Sequence, residues 1–93
     1  PPNKYGAMRY REVTEDENRA SLLSRVDFIL CIAEHVGIKN LILCDYGCSL
    51  YHQDPYEVAK IFKSQLDKHR SFDYVEFSIV GSSNYRIFKE VLR

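Results

Sequence analysis

The sequence predicts an α/β fold: helix, strand, helix, strand, helix, with parallel strands in a three-layer αβα arrangement. Three observations carry this. A long amphipathic stretch opens on a capping signal and closes on a glycine. The run Leu41–Cys44 is continuously apolar, as in a strand covered on both faces. Asp54-Pro55 then starts a second amphipathic helix, which leads to a further strand-forming segment at Phe72–Val80. A strand, a helix and a strand of these lengths pair in parallel through a right-handed crossover.

Residues 1–13 carry proline, glycine and scattered charge without periodicity and read as an extended lead-in. Thr14 is the expected N-cap of the first helix, with Glu17 closing a capping box and Glu15 and Asp16 complementing the helix dipole. Leu22, Val26, Ile29, Leu30, Ala33 and Val36 recur at one helical face. Phe28 and Ile32 widen it, so the helix is expected to be covered on more than one side. Gly37 is the expected left-handed terminator, giving a helix over 15–36.

Asp54 is the second N-cap, Pro55 the first helical residue, and Glu57 the partner in a second capping box. The core face of that helix is Val58, Ile61, Phe62 and Leu66, with Ala59 beside it. In the second strand Val75, Phe77 and Ile79 face one way, while Glu76 and Ser78 face the other, as suits a strand near an edge. Gly81-Ser82-Ser83 forms the turn, with Ser82 or Ser83 capping a last helix over 84–92 that faces inward through Phe88, Val91 and Leu92.

The chain has 93 residues, enough for one domain at most. Thirteen basic and thirteen acidic residues cancel, so no overall field draws nucleic acid or an anionic membrane surface. Apolar runs of at most six residues fall far short of the ~20 needed to span a bilayer, and no apolar segment follows Pro1-Pro2-Asn3-Lys4 to make a signal peptide. Three cysteines make an odd count, and Cys31 and Cys44 lie within apolar runs. Reduced, buried thiols in a cytoplasmic or nuclear protein are expected. Two strands bury too little to hold helices on both faces. The chain is therefore expected to be a partial domain, a processed or truncated product, completed by a missing N-terminal half or by another copy.

The residues between the first strand and the second helix concentrate the functional signal. A buried strand feeding a glycine-containing loop and then a helix start is the layout of a phosphate-binding turn in open α/β sheets. Gly47, Cys48 and Ser49 would offer backbone N–H groups to a diphosphate, held over the loop because the Asp54 carboxylate already occupies the helix end. Tyr51 or Tyr46 can stack on a ribose or base. Ser82, Ser83 and Asn84 are first of all turn and cap residues; at the same sheet edge, Ser82 and Asn84 are candidate adenosine-end contacts. Cys44, Cys48 and His52 run at i, i+4, i+8, but a structural zinc site wants four ligands, usually in tight pairs, so no metal is expected there. His35 and His69 lie near helix C-termini and read as surface residues meeting the dipole.

The succession Gly37, Ile38-Lys39-Asn40, apolar strand, Tyr46-Gly47-Cys48-Ser49, Gln53-Asp54-Pro55, amphipathic helix, Phe72–Phe77, Asn84 and Phe88 resembles the C-terminal half of the microbial-type poly(ADP-ribose) glycohydrolases, which are macrodomain-fold proteins. That family has Trp-Gly-Cys-Gly and Asn-Asp-Pro here, so Tyr46, Ser49 and Gln53 are departures. Pro2-Asn3 matches the family's Ala-Pro-Asn. The resemblance implies a macrodomain-like fold and ADP-ribose or a related nucleotide as partner, held at its phosphate and distal ribose by Gly47, Cys48, Ser49, Leu50 and Tyr51. It implies no cofactor. The family's glycine-rich loop and paired glutamates are absent, since neither Gly-Gly-Gly nor Glu-Glu occurs, so binding without hydrolysis is expected. A non-enzymatic ADP-ribose reader, or an interaction fragment pairing through an open sheet edge, are the other readings.

Overall fold

The computed structural model describes residues 14–45 and 53–93. The lead-in at 1–13 and the loop residues Gly47, Cys48, Ser49, Leu50 and Tyr51 lie outside them. In chain order the elements are α1 (Glu15–Val36), β1 (Asn40–Leu43), α2 (Pro55–Lys68), β2 (Tyr74–Phe77) and α3 (Ser82–Leu92).

The ends of α1 follow from its flanking residues. The Thr14 hydroxyl accepts the Glu17 amide proton at 3.1 Å and donates its own to Glu17 Oε1 at 3.1 Å. The carboxylate thus returns to the hydroxyl, where the capping box would have taken it to the Thr14 amide. Gly37 ends the helix at φ 87°, its N–H bonded back to the last turn, a conformation open to glycine at little cost.

β1 and β2 are parallel in the register Asn40–Tyr74, Leu41–Val75, Ile42–Glu76 and Leu43–Phe77. Backbone bonds extend the ladder at both ends, from Asp73 N to Lys39 O at 2.8 Å and from Ser78 N to Leu43 O at 2.7 Å. β2 is shorter than the expected span because only these four residues pair; its inward Val75 and Phe77 and outward Tyr74 and Glu76 follow the predicted alternation.

One continuous core unites Leu22, Val26, Leu30 and Ala33 of α1, Leu41 of β1, Val58, Ala59, Ile61 and Phe62 of α2, and Phe88 of α3. Phe77 sits between Phe62 and Phe88, its ring centroid 5.2 and 5.8 Å from theirs, and so ties the sheet to two helices.

Among the described residues the sheet is covered on one face. Leu41 and Leu43 point into the helices, whereas Ile42, expected in a doubly covered strand, is 70% exposed. On α1, Phe28, Ile29, Ile32 and Val36 form an exposed apolar stripe beside the core face. Ile29 and Val36 were expected inside; α2 and the sheet reach only the face centred on Leu22, Val26 and Ala33. The described residues therefore supply one helix layer and a two-stranded sheet. Cys31 and Cys44, expected to be buried, are exposed free thiols; Cys44 lies one residue past the end of β1.

Candidate functional site

The parallel register brings the carboxyl ends of β1 and β2 to one edge. Asp45 lies just past that edge, before residues 46–52, which lie outside the described ones, and residues 78–81 lead from it into α3. Ligands of open α/β sheets sit at such an edge.

The far side of the loop is anchored. Gln53, whose side chain is buried, exchanges two hydrogen bonds with buried Asn18 of α1: Asn18 Nδ2 donates to Gln53 Oε1 at 3.0 Å, and Gln53 Nε2 to Asn18 Oδ1 at 3.2 Å. Nothing local foretells this pairing across 35 residues. Next, Asp54 Oδ1 accepts the Tyr56 amide at 2.9 Å, so a carboxylate holds the start of α2. Glu57 does not close the expected capping box; the Arg19 guanidinium draws it away, Nε to Oε1 at 2.5 Å.

At the second loop Gly81, at φ 91°, is the N-cap and makes no side-chain cap bond, so Ser82 and Ser83 lie within the first turn of α3 instead of capping it. The helix starts two residues earlier than expected because the Gly81 carbonyl accepts the Tyr85 amide at 3.0 Å. Ser82 is exposed and Asn84 half-buried.

Compared with solved structures, the chain matches the crystal structure of poly(ADP-ribose) glycohydrolase from Deinococcus radiodurans in complex with ADP-ribose, at a TM-score of 0.83 and 22% identity. The match covers 99% of this chain and 38% of that one. The fold is macrodomain-like. No protein-family model matches the sequence, and neither does any curated protein. At that identity the likeness is one of architecture, and the chain spans 38% of the glycohydrolase's length. No described helix is long and apolar enough to cross a membrane.

A second constellation, away from the sheet edge, corrects the reading of His69. Its ring is buried, at 7% exposure, in place of the expected surface position. Nδ1 lies 2.5 Å from Glu34 Oε1, and Nε2 lies 2.7 Å from Asp27 Oδ1. Ser71 donates its hydroxyl proton to Glu34 Oε2 at 2.6 Å, and Lys68 Nζ reaches Asp27 Oδ1 at 3.4 Å. Asp27 and Glu34 hold the imidazole above its ordinary pKa. Ser71 and then His69 hold Glu34 below the carboxylate range, and His69 and then Lys68 do the same for Asp27. With a carboxylate on each nitrogen, the ring satisfies both only as an imidazolium. Cys31 Sγ lies 3.9 Å from both His69 Nε2 and Asp27 Oδ1. The sequence signal was the spacing of Asp27, Cys31 and Glu34 at i, i+4, i+7, a polar stripe on α1.

Proposed function

We propose that this chain is the ADP-ribose-binding part of a macrodomain-type glycohydrolase-like protein, contacting the diphosphate and distal ribose without cleaving the nucleotide. The observation that carries the reading is the architectural match, over nearly the whole chain, to a glycohydrolase solved with ADP-ribose. The parallel strands supply the geometric support, since both candidate loops leave one sheet edge. Gly47, Cys48, Ser49, Leu50 and Tyr51 would hold the phosphates and ribose, with Ser82 and Asn84 toward the adenosine. The paired glutamates and glycine-rich loop implied by the family resemblance do not occur in the sequence, which favours binding over hydrolysis.

Calorimetric titration of the full chain with ADP-ribose tests this. A one-to-one heat is expected, weakened strongly by Gly47→Val while the melting curve stays nearly unchanged; the added side chain obstructs backbone approach to phosphate. Absence of heat at millimolar ADP-ribose would overturn the reading.

A second reading rests on a separate observation. Ile42 and the α1 stripe are exposed, and the chain spans 38% of the matched protein, so a polypeptide carrying further strands would complete the sheet. A co-expressed N-terminal half should then co-purify with the chain and strengthen ADP-ribose binding.

A further inference from the structure

We propose that Asp27, Cys31 and His69 form an open, three-ligand zinc-binding site where α1 meets the end of α2. The three donor atoms lie within 4.8 Å of one another. Zinc bonds of about 2.0–2.3 Å at tetrahedral angles separate neighbouring ligand atoms by roughly 3.3–3.6 Å. The two sulfur edges, at 3.9 Å, need close by only a few tenths of an ångström. The oxygen–nitrogen edge, at 2.7 Å, opens by a little more.

The scaffold is already rigid. Asp27 and Cys31 are one helical turn apart on α1, and His69 is fixed by burial at the end of α2. Glu34 holds the ring through Nδ1 and is itself held by the Ser71 hydroxyl, which aims Nε2 at the gap between Asp27 and Cys31. A carboxylate behind a ligating imidazole is the recurring support of zinc histidines. A thiolate, an imidazole and one carboxylate suit zinc and disfavour calcium or magnesium, which seek oxygen cages.

Binding displaces two protons to solvent, one from the Cys31 thiol and one from His69 Nε2, and the ion takes the place of the Nε2 proton now shared with Asp27. The Lys68 ammonium, on a side chain 65% exposed, turns away from Asp27 into water. The outward position of Cys31 lets the ion enter and leaves a fourth coordination position for water.

Cobalt(II) titrated into the chelator-treated full chain provides the test. One equivalent should give a thiolate-to-cobalt charge-transfer band in the near ultraviolet, bleached by one equivalent of zinc. Cys31→Ser should abolish the band, Cys44→Ser and Cys48→Ser should leave it, and Glu34→Gln should weaken zinc affinity about tenfold or more. A lack of stoichiometric cobalt binding overturns the proposal, as does a band that survives Cys31→Ser or disappears with Cys44→Ser. Cys31 is exposed, so its serine variant is expected to fold, and circular dichroism checks it.

Discussion

At the scale of single residues, His69 sets how stability depends on pH. Its pKa is raised in the folded state by Asp27 and Glu34, so its contribution is complete below the unfolded value near 6.5 and is lost as pH rises through the higher folded value. Asp27 and Glu34 are lowered, from reference values of 3.8 and 4.5; their contribution is present above those values and fades as pH falls through the folded ones. In chelator-treated buffer, urea midpoints should therefore be highest between about pH 4.5 and 6.5. His69→Asn should flatten the decline on the alkaline side; an unchanged decline would show that the imidazolium is not its source. The Asn18–Gln53 pair gives a second residue-scale expectation. Asn18→Leu strands part of a buried amide and should cost about 1–3 kcal/mol by urea unfolding. Neither pairing was legible in the sequence. Lys68-His69-Arg70 reads as a charged helix end, and the partners of His69 lie 35 and 42 residues away. Side-chain bonds of that span leave no local spacing that names the partner; only the α1 half, the polar stripe of Asp27, Cys31 and Glu34, shows in the sequence.

At the scale of elements, much was legible, and for local reasons. α1 spans the predicted residues because Thr14 and Gly37 determine its two ends chemically. α2 begins at Pro55 because Asp54 and the ring of Pro55 favour a helix start. The start of α3 differs because two serines offer themselves as caps, whereas Gly81, at φ 91° and ψ 130°, already turns the chain. α3 is anchored through one side chain above all: Phe88 is its one buried residue among those described, with Val91 and Leu92 packed at the core's margin. Phe88→Ala should cost about 3–5 kcal/mol. The loss should appear as early proteolytic release of the C-terminal segment, because Phe88 is what touches Phe77. At the candidate loop only the two flanks can be compared, and both were legible: a strand before it and an Asp-Pro helix start after it.

At the scale of the whole molecule, an uninterrupted apolar run predicts a strand covered twice, yet Ile42 faces outward beside Tyr74 and Glu76. The run identifies the faces that want covering; it does not say which polypeptide covers them. Exposed apolar faces and open strand edges promote association. Sedimentation velocity should show association growing with concentration, and Ile42→Lys should shift the chain toward monomer with an unchanged far-ultraviolet spectrum. A monomer that persists at high concentration in the unsubstituted chain would contradict this. A partner that covered Ile42, 70% in solvent here, would bind the folded form and not the unfolded one, so its abundance would enter the folding equilibrium itself. The amount of folded protein would then be a matter of dosage as well as of sequence.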